Sequence, residues 1–544
     1  MGNLKESLKA IDNLFVEESQ IPEQYKITEI HQREYLLNGK LVPWNGEVAE
    51  VYSPVFVKGD EGLRRKLLGT IPHTSPKEAL DSLDAAVKAY NEGQGMWPTM
   101  SIEGRILCMQ KFVYLMILQR EPVIKMLMWE IGKTLPDSIK EFDRTVEYIN
   151  ATIDALKDLD RVSSRFEEAE GILAQIRRSP LGVVLSMGPF NYPLNEIFTT
   201  LIPALIMGNT ILFKLPKHGV LSHYPLLSAF KEAFPPGTVN TLYGRGADII
   251  SPLMESGKVN VLAFIGSSKV ANGLKKLHPK PNRLRSILSL DAKNAAVVTK
   301  HADLEVAVNE CLLGALSFNG QRCTALKLIF VQREIADEFV TRLSNAVTTL
   351  KPGLPWDKDV KITPLPEFDK PDYLKTCLDD AIANGAKIVN ENGGYANNSF
   401  VFPSVVYPVN DKMKLYHEEQ FGPIIPIVPF DSIDEPINYQ INASHGMQVS
   451  IFSEDPREVA SLIDPFVNLV SRVNINCQSQ RGPDVFPFTG RKDSAEGTLS
   501  IADALRSFSI RSLVATKATA SNKTLFNSIV RDHDSNFLST DYIF

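Results

Sequence analysis

The chain has 544 residues, a formal net charge of −6, 44% hydrophobic residues and 22% charged residues. A chain of that length carries several domains and buries large cores without disulfides or structural metals, and its mild acidity excludes an electrostatic footprint for nucleic acid or an anionic membrane. The five cysteines, Cys108, Cys311, Cys323, Cys377 and Cys477, are scattered with no CxxC pair, which excludes a disulfide framework or zinc ribbon, predicts no metal site, and fits a reducing, cytoplasmic setting.

Residues 1–20 are polar and mixed in charge, with no apolar core of a signal peptide. Residues 1–50 as a whole read as a weakly periodic N-terminal arm. Residues 76–150 carry a helical pattern, opened by a capping sequence Ser75-Pro76-Lys77-Glu78, with Leu107, Phe112, Leu115 and Met116 on one apolar face. The apolar stretch at 112–118 ends in Gln119-Arg120-Glu121, far short of the about 18 apolar residues a membrane span needs.

From there strands and helices alternate. Strands are predicted at 182–187, 209–214, 239–243 and 261–264, with helices at 194–207 and 223–234 between the first three. A second series follows: strand 294–298, helix 303–316, strand 326–331, helix 334–350, then strands at 399–406, 424–428 and 449–452. Such alternation predicts right-handed, mainly parallel α/β sheets, which bind ligands beyond the carboxyl ends of their strands. The Pro- and Asp-rich stretch 352–371 reads as a surface connection. The polar tail after Lys517 reads as flexible or draped on a partner.

The loop Phe318-Asn-Gly-Gln-Arg-Cys-Thr324 falls between a helix and a strand. Gly320 permits a tight turn, and a thiol at Cys323 beside Arg322 could act as a thiolate; a lone cysteine reads more readily as a buried structural residue. The flanking sequence weighs for chemistry. The loop resembles the catalytic-cysteine loop of the aldehyde dehydrogenase superfamily. Pro189-Phe-Asn-Tyr-Pro193, Phe264-Ile-Gly-Ser267 and Glu418-Glu-Gln-Phe-Gly-Pro423 resemble three further blocks of that superfamily, in the family's order, and the similarity runs from about residue 35 to 517.

The resemblance implies an α/β fold with a Rossmann-type cofactor domain (1–159 and 179–290, with 1–34 an N-terminal extension), an α/β catalytic domain (291–507), a small β-hairpin oligomerisation element (160–178 and 508–520) and a C-terminal tail (521–544). It implies that Cys323 attacks an aldehyde and that Asn191 steadies the oxyanion. The implied cofactor contacts are Lys214, Lys217, Gly246, Gly266, Ser267, Glu419 and Phe421. A lysine at 217, where NAD-preferring members carry a glutamate, implies NADP, with NAD possible, because a cation attracts a 2′-phosphate. Within the superfamily the likeness is greatest to the non-phosphorylating glyceraldehyde-3-phosphate dehydrogenases, whose phosphate-binding tyrosine and arginines fall on Tyr192, Arg144, Arg322 and Arg481; guanidinium groups bind phosphate oxygens bidentately. The implied partners are a small aldehyde and further copies of the chain, as a homodimer or homotetramer, with no nucleic acid or membrane.

One departure stands out. The family carries a glutamate 34 residues before its cysteine, in a Glu-Leu-Gly-Gly-Lys block, and this glutamate activates the water that releases the acyl group. Here the block reads Ser289-Leu-Asp-Ala-Lys293. Lys293 is kept, but a serine is no unassisted base near neutral pH; Asp291, on the same face as Ser289 if the segment is a strand, is open to two readings, a substitute base or, as favoured here, a turn residue. Two alternatives follow: coenzyme A as acyl acceptor, or a family relative with little turnover and a binding or structural role.

Overall fold

The computed structural model describes residues 8–541. The N-terminal part is more ordered than its composition predicts. A hairpin of β1 (Glu34–Leu37) and β2 (Lys40–Pro43) is followed by a longer one, β3 (Val48–Gly59) and β4 (Gly62–Pro72). Ile11, Leu14, Phe15, Ile21, Tyr35 and Leu36 are buried in the main core. Residues 1–50 are therefore not a free arm where they are described. A few of their apolar residues are buried and others pack partly buried against the same core, so polar composition hid a docked segment.

The helical stretch follows as predicted. α1 (Pro76–Tyr90) starts at Ser75 with the expected reciprocal cap between Ser75 and Glu78. Then come α2 (Ile102–Ile117), α3 (Arg120–Ile131) and the 29-residue α4 (Leu135–Ser163). On α2 the buried stripe is Ile106, Met109, Phe112, Val113 and Met116; Leu107 faces solvent, one residue off the expected face. A three-stranded antiparallel sheet joins β5 (Phe166–Ala169) and β6 (Ile172–Pro180) to a strand near the C-terminus.

The first large sheet carries β7 (Val183–Met187), β8 (Thr210–Lys214), β9 (Val239–Leu242), β10 (Val261–Ile265) and β11 (Arg285–Ser289), connected by α5 (Asn195–Ile206), α6 (Leu227–Ala233), α7 (Gly246–Glu255) and α8 (Ser268–Leu277). The strands run parallel in the order β9-β8-β7-β10-β11. Their near-continuous apolar sequences suit a sheet covered by helices on both faces. Pro225 shortens the predicted helix 223–234, whose first part is a 3-10 turn.

The second sheet is built on β12 (Asn294–Val298), α9 (Leu304–Leu316), β13 (Leu326–Gln332), α10 (Arg333–Thr348), β14 (Ser404–Tyr407), β15 (Ile424–Phe430), β16 (Gln448–Phe452) and β17 (Arg472–Ile475). Its parallel order is β14-β15-β13-β12-β16-β17. The predicted strand 399–406 is divided into Phe400–Val401 and Ser404–Tyr407, because Pro403 lacks the N–H a ladder needs. Residues 352–371 are not a surface connection: Leu354, Trp356, Ile362 and Leu365 are buried, and Trp356 packs 4.7 Å from Trp129.

Beyond α11 (Ile501–Ser507), β18 (Ser509–Lys517) pairs along its whole length with β6. The tail then folds on its own chain. α12 (Ala520–Arg531) sets Phe526 against Phe166, and Arg177 and Gln175 donate to the carbonyls of Phe537 and Ser539. The polar composition had concealed this docking; its last three residues lie outside those described. Among the described residues no helix is long and apolar enough to cross a membrane.

Candidate active site

The carboxyl ends of β7 to β11 face the amino ends of β12, β13 and β15, and the chemistry-bearing loops all lie at that junction. The cysteine loop turns through three consecutive left-handed residues, Phe318, Asn319 and Gly320, with φ of 48°, 55° and 71°. At Gly320 a Cβ would lie 2.7 Å from the carbonyl oxygens of Ala315 and Gly422, so only glycine fits. Asn319 holds Thr363 by its amide and its carbonyl. Beyond the turn, Asn294 donates to the Cys323 carbonyl at 2.7 Å, and Lys327 donates to the same oxygen at 3.2 Å. The Cys323 backbone is thus fixed from two strands.

The Asn191 loop reaches this turn directly: its side-chain amide donates to the Gln321 carbonyl at 2.7 Å. Beneath it lies a pair that sequence reasoning missed. Lys133 and Glu141 form an ion pair in which neither side chain is exposed. The Lys133 ammonium also donates to the Asn191 carbonyl at 2.8 Å and sits 3.5 Å from the centre of the Tyr192 ring. Glu141 accepts from the Leu194 and Asn195 amides at the start of α5. The one available signal was an acid on the buried face of α4, between Ser138 and Phe142.

Cys323 lines a cavity of about 330 Å³ together with Arg144, Tyr192, Glu196, Arg322 and Arg481. All four residues expected to bind phosphate therefore share one space with the nucleophile. Their charges are not equivalent. Arg144 makes a bidentate pair with Asp484, at 2.9 and 2.7 Å. Arg481 is paired with Glu196 and lies 3.3 Å from Asp484. Arg322 donates to the carbonyls of Leu313 and Gly314, and among the described residues it forms no ion pair. Burial, and then the Glu196 charge, push the Cys323 thiol up to about 11, so the resting group is a thiol at neutral pH.

A second cavity, of about 500 Å³, opens over the ends of β8 and β9 and is lined by Lys214, Lys217, Arg245 and Gly246, with Glu50 and His218. Burial lowers Lys214 to about 8, and it donates to the Leu215 carbonyl. Gly246 opens α7 and leaves the backbone approachable, with nothing within 4 Å of an added Cβ. Glu130, also unseen in the sequence, accepts from the amides of Val220 and Leu221 and so holds the loop after Lys217.

The remaining expected contacts line neither cavity. Gly266 donates to the Ser289 carbonyl at 3.1 Å, and Ser267 caps α8. Asp291 accepts from both the amide and the hydroxyl of Ser268, each at 2.7 Å. It is a helix cap, in keeping with its reading as a turn residue. The Ser289 hydroxyl is buried without a partner among the described residues. Glu419 is ion-paired with Lys327, and the Phe421 ring lies 5.9 Å from that of Phe190.

A sequence model of the aldehyde dehydrogenase family matches residues 62–514. The chain belongs to that family. It is accordingly an oxidoreductase acting on aldehydes, with the family's fold. A relative described as NADP-dependent glyceraldehyde-3-phosphate dehydrogenase, from Streptococcus equinus, is 33% identical over 479 residues, covering 87% of this chain and 95% of the relative. The crystal structure of an NADP-dependent glyceraldehyde-3-phosphate dehydrogenase from Bacillus halodurans C-125, complexed with NADP, superposes with a TM-score of 0.81 at 29% identity, covering 91% of this chain and all of that one. The structure of a glyceraldehyde-3-phosphate dehydrogenase from Methanocaldococcus jannaschii, complexed with NADP, gives a TM-score of 0.75 at 26% identity, covering 83% and 97%.

The Lys133–Glu141 pair is a test of how the site is held. Lys133→Met leaves Glu141 buried without its cation, which costs about 3–5 kcal/mol. The expected outcome is a clear fall in the urea midpoint; an unchanged midpoint would show that the surrounding amides alone hold Glu141.

Proposed function

We propose that this chain oxidises a small phosphorylated aldehyde, glyceraldehyde 3-phosphate foremost, to the acid with NADP as cofactor, through a thioester on Cys323. The observation that carries this reading is the shared cavity: nucleophile, tyrosine and three arginines face one space. The printed activities of the relatives point the same way. In the division of labour we infer, residues 1–159 and 179–290 hold the cofactor and 291–507 carry the nucleophile. Residues 160–178 and 508–520 join copies of the chain into a homodimer or homotetramer. Exposed Ile510, Leu513 and Val514 on the edge strand β18 support that last role.

The chain's residues fit NADP. Lys217 and Arg245 bring two cations to one cavity beside the approachable Gly246 backbone, which suits a 2′-phosphate better than a bare hydroxyl. When bound, the nicotinamide supplies the hydride acceptor. The rest is done by the chain. The Cys323 sulfur adds to the aldehyde carbon as thiolate, giving a thiohemiacetal and then, on oxidation, a thioester. Asn191 keeps one amide hydrogen on Gln321, leaving the other for the developing oxyanion. Arg322, with no acid beside it, supplies the unneutralised charge for the substrate phosphate, and the Tyr192 hydroxyl adds a donor.

Three measurements check this reading. Cys323→Ala is expected to abolish aldehyde oxidation while leaving NADP binding within a few fold; activity above about a tenth of wild type would rule out this nucleophile. Lys217→Glu should weaken NADP far more than NAD in a titration of cofactor fluorescence, and equal weakening would remove Lys217 from the 2′-phosphate site. Arg322→Gln should raise KM for glyceraldehyde 3-phosphate about 10- to 100-fold more than for unphosphorylated glyceraldehyde, since a charged hydrogen bond contributes about 1.5–3 kcal/mol. A uniform loss on both substrates would move the phosphate elsewhere.

A further inference from the structure

Release of an acyl group from a thioester by water needs a base within reach of that water, and the position where the family places it is occupied by Ser289, a buried hydroxyl with no partner among the described residues. The other acids around the site are engaged. Asp291 caps α8 through Ser268. Glu419 is paired with Lys327, and Glu141 with Lys133 and two backbone amides. Asp484 gives both oxygens to Arg144, and Asp137 accepts from the Thr134 hydroxyl.

Glu196 differs. It sits in the first turn of α5, five residues after Asn191, and it lines the same cavity as Cys323. Arg481 engages its Oε2, and among the described residues Oε1 has no hydrogen bond. The guanidinium that holds it is itself fixed, by the Leu499 carbonyl, Asp484 and the face of the Phe488 ring 4.6 Å away. Among the charged groups acting on the Cys323 thiol, Glu196 has the largest effect, ahead of Lys327, Arg481 and Glu419. It is therefore a carboxylate held in place by Arg481 and facing the same space as Cys323.

We propose that Glu196 is the general base that activates water against the Cys323 thioester, in place of the glutamate missing at Ser289. The step balances without any further reactant. The water oxygen bonds to the acyl carbon while Glu196 Oε1 takes a water proton. The carbon–sulfur bond then breaks, Cys323 leaves as thiolate, and the proton passes to the thiolate or to the solvent that fills the cavity. Arg481 is the positioning residue for the carboxylate. The proposal rests on the thioester reading above, so its test must separate the two.

p-Nitrophenyl acetate does so, because it acetylates a thiol without cofactor or aldehyde. In wild type we expect steady nitrophenol release and little acetyl-enzyme by intact-mass spectrometry. In Glu196→Gln we expect a burst of about one nitrophenol per chain, an accumulated mass gain of one acetyl group, and deacetylation slower by about 10²- to 10⁴-fold. Added hydroxylamine, a nucleophile needing no carboxylate, should restore turnover in the variant. Loss of the negative charge should also make Cys323 alone easier to alkylate with iodoacetamide at pH 8, read by peptide mapping, whereas a folding defect would expose the buried Cys311 and Cys377 as well. Glu196→Asp, which keeps the charge but withdraws it by one methylene, should fall between the two and guards against misfolding of the amide variant. Equal deacetylation in wild type and Glu196→Gln overturns the assignment to Glu196. A KM change with no accumulated acetyl-enzyme does so too, and makes the residue a specificity determinant. Nitrophenol release by wild type no faster than by Cys323→Ala, with no acetyl adduct on Glu196→Gln either, overturns the thioester reading instead.

Discussion

The site depends on one interaction that touches no substrate, the buried pair of Lys133 and Glu141. A lone ammonium or carboxylate in that position would be untenable in a low-dielectric core. Together they are stable because each has further partners. Lys133 adds the Asn191 carbonyl and two aromatic faces, Tyr192 and Phe318, at 3.5 and 4.5 Å. Glu141 adds the amides at the start of α5, where a negative charge is favoured by the helix dipole. One pair therefore fixes the Asn191 loop, the Tyr192 ring, the direction of α5 and one wall of the cysteine turn. A geometry held this tightly suits catalysis, where small misplacements cost large factors in rate.

The second constraint is topological. The first sheet offers the carboxyl ends of its strands and the second offers the amino ends of its own. Loops from both sheets thus meet at one seam without either sheet being interrupted. The cavity over β8 and β9 is closed by the β3–β4 hairpin and by Phe368. The Cys323 cavity draws Arg144, Tyr192 and Glu196 from the N-terminal half and Arg322, Cys323 and Arg481 from the C-terminal half. Hydrogen bonds cross the seam at Asn191 to Gln321 and at Arg144 to Asp484. Chemistry at such a seam requires the two halves to be held in register, and these contacts do that.

Much of this was legible in the sequence. The alternating apolar runs gave the order of strands and helices because fully buried parallel strands leave a near-continuous apolar signature. The turn at Phe318 to Gly320 was visible through its glycine, and the cavity residues through local motifs around them. What was hidden was long-range. The N-terminal segment buries a handful of apolar residues, Ile11, Leu14 and Phe15 among them, too few to create periodicity. Trp356 packs at a tilt against Trp129, more than 200 positions away, inside a stretch whose prolines and aspartates suggested a surface. The tail docks through backbone carbonyls, which carry no sequence signature. Lys133 and Glu141 look like any surface pair until the fold encloses them.

The arrangement of charge around Cys323 shows why a displaced base alters more than one step. A carboxylate beside the thiol opposes formation of the thiolate, and together with burial it raises the sulfur to about 11. That slows the first half of the reaction in the free enzyme. The same carboxylate, once the sulfur is acylated and uncharged, has no negative neighbour to repel and is free to draw a proton from water. Its cost therefore falls before the acyl group is attached and its benefit afterwards. Arg481 moderates the first effect by drawing the carboxylate's charge toward itself, away from the sulfur, and favours the second by fixing its orientation. In the family pattern the cysteine and the base come from neighbouring segments of the chain; here the base lies on the Asn191 side of the seam, at the first turn of α5. Oxyanion donor and base then come from one short stretch of chain, the loop before α5 and its first turn, which Glu141 holds at the Leu194 and Asn195 amides.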